Sequence, residues 1–325
     1  MTARAPLLGA LAASLLASAA PGAAQSHGEA GADVLALAPA PRAGAMAGAY
    51  AAGAPGDPFA VFFNPAGIAG APGPAGGAGR ARWSAAAAYR RHVGDASAGS
   101  AALRLRGFGG ASVVSVRYLD FGEVQEIVPD PAFGGERGLP TGARVGGAEL
   151  ALGAAHGLEI GPAVIGVGFD MVRSDIADLQ DVALAASVGA RVTGWDGRIA
   201  LGAAVQHLGA DAGPGRDAPL PRTYRAGGAL QLGGPGGIWI RLAADAVGPW
   251  DRLRPVAGAE VLVAGSEGVE LRARAGWDGT LEDGDALGEV AFGGGLRAGA
   301  LVLDYAYRGV GVLGDAHQFG LRFRP

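Results

Sequence analysis

The stretch Val269-Glu270-Leu271-Arg272-Ala273-Arg274-Ala275-Gly276-Trp277 alternates apolar and charged side chains with a period of two. In an extended chain successive side chains point to opposite faces. Val269, Leu271, Ala273, Ala275 and Trp277 therefore share one face, and Glu270, Arg272 and Arg274 share the other. One face suits hydrocarbon, the other water. The same division recurs in Leu301, Leu303, Tyr305 and Tyr307 against Asp304 and Arg308, and in Phe319, Leu321 and Phe323 against Gln318, Arg322 and Arg324. Ile238, Ile240 and Leu242 oppose Trp239, Arg241 and Asp245 in the same way.

Working outward, such runs lie near 82–91, 100–107, 111–124, 143–156, 163–173, 182–193, 198–208, 223–232, 237–247, 253–263, 269–277, 287–298, 300–308 and 316–324, parted by Gly, Asp and Pro clusters. That is strand grammar. About fourteen runs of roughly 9–11 residues match a closed antiparallel transmembrane barrel, whose strands are even in number and alternate between lipid and lumen. The expected class is all-β, with residues 79–325 forming the barrel. Trp195-Asp196-Gly197, Asp278-Gly279 and the 233–237 glycine cluster read as short periplasmic turns, while 128–142 and 209–222 read as extracellular loops.

Composition agrees with this reading. Half of the 325 residues are hydrophobic and mean hydropathy is +0.25, yet beyond the leader no apolar run reaches the roughly 20 residues of a spanning helix. A barrel hides its membrane signal in just this way, because lipid-facing residues come at every second position. The 60 glycines raise the alternative of a disordered chain, but disorder goes with low hydrophobicity and high net charge, and the net charge is −4. Every basic residue is arginine, which together with the Ala and Gly richness reads as the mark of a GC-rich genome. A near-neutral balance gives no basic face for nucleic acid. A soluble sandwich or lipocalin-like barrel would also alternate, with its apolar face turned inward. Tyr and Trp near strand ends and a closing alternating strand favour lipid outside.

Residues 1–24 carry Arg4, an apolar stretch around Leu7–Leu16 and a small-residue segment ending at Ala24. That order predicts a secretory signal peptide and export to the outer membrane. With no cysteine there is neither a disulfide framework nor a lipid-attachment site.

Residues 25–78 form an N-terminal segment, of which 33–70 do not read as strands. Asn64-Pro65 favours a turn, because asparagine caps its own backbone and the residue before proline avoids helical geometry. The small-residue piece from Arg42 to Ala52 suits a short helix packed closely against a wall. Arg42, Met46, Gly48 and Ala49, followed by Asp57, Ala60, Asn64, Pro65, Ala66 and Gly67, resemble the opening segments of the PorV/PorQ family of outer-membrane proteins. The similarity continues through Leu119-Asp120-Phe121-Gly122-Glu123, Val205-Gln206-His207-Leu208-Gly209, Leu220-Pro221 and the closing 303–307 and 313–317 segments. It implies a FadL-like barrel of fourteen strands with the Asn-Pro-Ala segment inside the lumen as a hatch. In FadL relatives such a hatch plugs a path for hydrophobic molecules, and in PorV the barrel partners the type IX secretion translocon and its cargo. The resemblance thus implies two function classes: transport of a hydrophobic or small molecule, or protein interaction with a secretion barrel or cargo protein.

On this reading Arg42, Met46, Gly48, Asp57, Asn64, Pro65, Ala66 and Gly67 belong to the hatch. Arg104, Arg117, Arg241, Asp245, Arg272, Arg274, Asp304, Arg308 and Arg322 line the lumen, because charges facing lipid would cost roughly 2–4 kcal/mol each at the midplane. Pairing with one another and with the hatch is favoured over substrate selection.

Other chemistry finds no footing. Gly309-Val-Gly311-Val-Leu-Gly314 spells a dinucleotide fingerprint, but neither a helix nor an acidic residue follows at the needed distance. The five histidines are scattered without metal-ligand spacing and read as lumen or loop residues. Asp170, Asp175, Asp178 and Asp181 lack a calcium-loop pattern, and no serine sits in a nucleophile elbow. Neither cofactor, metal nor enzymatic activity is expected.

Overall fold

Lipid on one side and a wet interior on the other impose a strict period of two, and each alternating run becomes a strand. The computed structural model describes residues 31–37, 39–70, 81–91, 95–177, 179–210, 218–233, 237–265, 268–279, 290–309 and 315–325. The signal-peptide reading of residues 1–24 lies outside them.

The strands are β1 (Trp83–Arg91), β2 (Ser97–Gly107), β3 (Gly110–Pro129), β4 (Gly138–Ile160), β5 (Ala163–Ile176), β6 (Leu179–Gly194), β7 (Ile199–Leu208), β8 (Thr223–Gly233), β9 (Ile238–Gly248), β10 (Arg254–Ala264), β11 (Val269–Asp278), β12 (Val290–Ala298), β13 (Leu301–Gly309) and β14 (Asp315–Phe323). Each pairs antiparallel with its neighbours in sequence. β1 meets β14, from Ala85 opposite Phe323 to Arg91 opposite His317, and closes the ring. No strand edge is left bare, as a structure in hydrocarbon requires.

Alternation has the polarity expected for lipid outside. On β11 the side chains of Val269, Leu271, Ala273, Ala275 and Trp277 are exposed, while Arg274, Gly276 and Asp278 are buried inside. On β9, Ile238, Ile240 and Leu242 face out and Trp239, Arg241 and Asp245 face in. Exposed aromatics gather toward the two ends of the wall: Trp83, Phe108, Trp195 and Phe323 at one, Tyr89, Tyr118, Trp250, Trp277 and Tyr305 at the other. These are the positions of interfacial girdles.

Two connections differ from the sequence reading. Most of 128–142 is strand: β3 and β4 continue past the wall as a hairpin whose loop is only 130–137, with register shifts at Asp120/Glu123 and Gln125/Ile127. Both faces of that extension are exposed, so no lipid enforces alternation there. The turn after Asp278 belongs with the long connections, because up-and-down strand order puts it at the end opposite the 195–198 turn. The short-turn end carries 108–109, 161–162, 195–198 and 299–300. In barrels of this type it faces the periplasm.

A ring of fourteen strands is wider than the eight whose side chains alone fill the interior. Residues 31–70 occupy that space. They form single turns, Asp33–Leu35, Pro41–Gly44, Pro58–Phe62 and Pro65–Ile68, and share no ladder with any strand. Two of the turns begin alike: Asp57 Oδ1 accepts from Phe59 N (3.1 Å) ahead of Pro58, and Asn64 Oδ1 accepts from Ala66 N (2.9 Å) ahead of Pro65. An acidic or amide cap followed by proline is a stable helix start. In place of a longer helix over 42–52, only Pro41–Gly44 is helical, and the chain then turns through Ala47 and Gly48 at positive φ.

Candidate functional site

The interior surface where residues 31–70 meet the wall gathers most of the buried charge of the molecule. Its centre is a closed ring of six side chains. Arg42 grips Glu260 of β10 with both arms (Nε to Oε2 3.0 Å, Nη2 to Oε1 2.7 Å). Glu260 Oε2 also accepts from Arg274 Nε of β11 (2.6 Å), and Arg274 Nη1 donates to Asp304 Oδ1 of β13 (2.8 Å). Arg322 of β14 donates through Nε to Asp304 Oδ2 (2.8 Å) and through Nη1 to Asp57 Oδ2 (3.1 Å). Arg42 Nη1 lies 3.8 Å from the same Asp57 oxygen and completes the circuit. Three arginines alternate with three carboxylates, so the ring is neutral, and every member but Arg42 is buried.

Two groups of the inner segment show how this surrounding works. Burial disfavours the Arg42 charge, but Glu260, Tyr50 and Asp57 outweigh it and hold the guanidinium well above its ordinary range. Burial pushes the Tyr50 phenol up, which keeps its proton available to donate to Asp57 Oδ2 at 2.8 Å.

Around the ring, wall side chains satisfy backbone groups that have no ladder partner. Asp245 Oδ2 of β9 accepts from the Tyr50 and Ala51 amides at 2.6 and 2.7 Å. Arg225 of β8 donates to Gly48 O (2.6 Å), Arg191 of β6 to Ala52 O (2.7 Å), Arg241 of β9 to Gly53 O (2.7 Å) and Arg104 of β2 to Ile68 O (2.7 Å). Gln206 of β7 reaches Phe62 O (3.0 Å), Ser100 reaches Pro39 O (2.6 Å), and Glu149 of β4 takes the Val34 amide (2.7 Å). Such pairing is obligatory, since a buried backbone group left unpaired costs about as much as a lost hydrogen bond.

The second half of the segment is held by shape. Asn64 Nδ2 donates to Ala51 O (2.7 Å) and reaches Ala190 O and Ala203 O of β6 and β7. The wall beneath is glycine: a Cβ at Gly189 would strike the Asn64 side chain, and one at Gly166 would strike the Pro65–Ala66 backbone. Phe59, Ala60, Ala66, Ile68 and Ala69 pack with Ala86, Ala102, Ala111, Val113, Ala155 and Val164 of β1–β5. Gly67 lies against Gly53, backbone to backbone. Met46 is fully buried over Gly258 and Gly276.

Not every sequence-indicated residue joins this surface. Arg308 pairs with Asp278 near the long-connection end, and Arg272 with Glu270 (2.5 Å) near the short-turn end. Arg117 does join it, pairing with Asp170 on the wall while donating to Leu35 O (3.3 Å) and lying over the Phe62 ring. Glu260, Arg191, Arg225 and Glu149 were not singled out from sequence, and Gln206 entered only as part of the family resemblance. Their signal is a lone charged or amide side chain at an inward position of an apolar strand, as in Ala259-Glu260-Val261. His156 and His317, read as lumen or loop residues, face outward near strand ends, where Ser112 and Tyr305 partner them at 2.9 Å. The interfacial level of the wall tolerates such polar pairs. Beside the ring, toward the short-turn end, lies a space of about 880 Å³ including the part open to solvent, lined by Arg191, Arg198, Arg241, Arg272, Trp239 and Leu262 among others. Among the described residues no cluster of metal-ligating side chains is found.

Comparison with solved structures places the fold. The chain is similar to a toluene transporter, TbuX, of Ralstonia pickettii (TM-score 0.56, 14% identity, covering 87% of this chain and 97% of that one). It is also similar to a FadL homologue of Pseudomonas aeruginosa (TM-score 0.52, 11% identity, 87% and 97% covered). The fold is that of a FadL-like outer-membrane barrel. A deletion variant of the monoaromatic hydrocarbon channel TodX aligns over 81% of this chain and 92% of its own (TM-score 0.52, 11% identity). By sequence, no family model and no curated protein matches.

Proposed function

We propose that this barrel is an outer-membrane channel for small hydrophobic molecules, closed by residues 31–70 acting as a displaceable hatch. The observation that carries the reading is the way the segment is held. The fourteen-strand ladder closes without it, so moving it breaks side-chain contacts and leaves the wall intact. Its β1–β5 side, with Phe59, Phe62 and Ile68 against alanine and valine, offers an apolar seam along which a greasy solute can pass once the hatch yields. Solved structures similar in fold are described as a toluene transporter and a monoaromatic hydrocarbon channel, which supports the solute class. Arg42, Asp57 and Asn64 are the hatch residues that seat it. The lumen charges serve as its sockets.

The test is uptake of radiolabelled toluene by cells making the wild type, compared with a variant carrying Ala69→Cys and Gly157→Cys, a pair whose Cβ atoms face one another across hatch and wall. Uptake above background that falls on oxidation and returns on reduction is the expected result. Uptake at background in both states contradicts the reading.

A second reading draws on the PorV/PorQ resemblance: a barrel that partners a secretion translocon or its cargo. It is favoured by the β3–β4 extension, which presents Val124, Ile127, Phe133 and Leu139 exposed beyond the wall. Removing residues 123–146 would abolish co-purification with such a partner while leaving toluene uptake intact.

A further inference from the structure

The space at the short-turn end is lined by seven arginines, Arg42, Arg191, Arg198, Arg241, Arg272, Arg322 and Arg324, against three carboxylates, Asp57, Glu260 and Glu270. The acids are already committed: Asp57 and Glu260 to the neutral ring, Glu270 to Arg272 and Arg297. Among the described residues Arg191 and Arg241 make no direct ion pair, with Glu159 near the one and Glu260 and Asp245 near the other acting only from beyond ion-pair distance, although the two are only 5% and 7% exposed. Each spends one nitrogen on the hatch, Arg191 Nε on Ala52 O and Arg241 Nη2 on Gly53 O, both at 2.7 Å. Each also keeps a buried nitrogen with no acceptor, Arg191 Nη1 and Arg241 Nε. Their acceptors are consecutive carbonyls and both guanidiniums line the same space, so the two cations flank it from β6 and β9.

Buried charge without a partner is uncommon, since desolvation must be offset by a counter-charge. A guanidinium presents a planar fork that matches an oxyanion. We infer that this vestibule binds an oxyanion group, phosphate or carboxylate, bridged between Arg191 and Arg241. The anion lies against the guanidinium faces that line the space and supplies the counter-charge that Arg191 and Arg241 lack at ion-pair distance. It thereby fastens the Ala52–Gly53 turn of the hatch to β6 and β9 together, so occupancy favours the closed arrangement. The inference is independent of the identity of the solute that the channel carries.

Such a group can belong to a free solute or to a lipid headgroup at the inner rim, and the experiment separates the two. The full mature chain in non-ionic detergent is titrated with inorganic phosphate by calorimetry. In parallel it is placed in nanodiscs of phosphatidylglycerol or of phosphatidylcholine, and amide exchange is followed over residues 50–53. Saturable phosphate binding is expected, weakening with added salt and weakening at least about tenfold in Arg191→Gln or Arg241→Gln. Slower exchange at residues 50–53 should accompany it. Arg191→Lys, which keeps the charge and loses the fork, should fall between. Arg173→Gln, at the opposite end, should bind as wild type. Protection by phosphatidylglycerol but not by free phosphate assigns the headgroup as the source. If neither ligand binds, or if binding survives both Gln substitutions, the inference is overturned.

Discussion

Residues 41–57 and residues 58–70 meet the wall by different means. The first stretch faces mainly β8–β14 through charge: the Arg42–Glu260–Arg274–Asp304–Arg322–Asp57 ring, Asp245 on two amides, and Arg225 and Arg241 on two carbonyls. The second faces mainly β1–β7 through apolar packing, glycine-lined contact and the neutral amides of Asn64 and Gln206. A buried ion-pair network contributes little net stability because desolvation offsets attraction, but losing one partner is costly. Apolar burial, at roughly 25 cal/mol per Å², supplies free energy without dictating register. The charged half therefore sets where the inner segment sits, and the apolar half holds it there.

Glu260→Gln should have the largest effect. It leaves the buried Arg274 and the partly buried Arg42 without their shared counter-charge, a loss of about 3–5 kcal/mol, read from denaturant unfolding in detergent and from lost amide protection at 42–46. Adding Arg42→Gln should recover part of that loss, because one unpaired charge is then gone. If the double variant were less stable than either single one, the ring would be a set of independent contacts. Gly189→Val pushes a side chain into Asn64 and should cost about 1–3 kcal/mol. Its mark is lost amide protection over 59–69 with 48–53 unchanged. Equal loss in both stretches would show that the two halves move as one unit. Asn64→Ala removes the turn cap and the amide that reaches β6, β7 and Ala51 O, at about 1–2 kcal/mol, with protection lost over 59–69 and only near Ala51 in the first half. Smallest is Ser100→Ala, which removes one hydrogen bond to Pro39 O and should cost about 0.5–1.5 kcal/mol. A larger loss there would mean that residues 31–40 anchor the inner segment more than the ring does.

The barrel was legible because lipid enforces its pattern. Wherever a strand crosses hydrocarbon, as in 269–277, the greasy positions cannot slip by one without turning charge outward. The β3–β4 extension was misread as loop for the complementary reason: both of its faces are wet, the parity constraint lapses, and Pro129, Pro140 and the glycines between them look like turn residues. Asp278-Gly279 was assigned to the wrong end because turn length alone was weighed, whereas antiparallel order fixes the end. Inward glycines such as Gly166 and Gly189 were put down to genome composition. Their purpose is visible only with Asn64 and Pro65 pressed against them. For the same reason Glu260 escaped notice while Arg42, Arg274, Asp304 and Arg322 were singled out, since a single carboxylate in an apolar run shows no partner until the strands are placed.

The most direct test is single-channel recording in planar bilayers of the wild type and of a chain lacking residues 33–70. Because the strand ladder closes without those residues, the account predicts a folded barrel in both cases. The wild type should show little or no conductance, and the deleted chain should show large, stable steps. Equal conductance from the two folded barrels would mean that the segment filling the lumen does not close it.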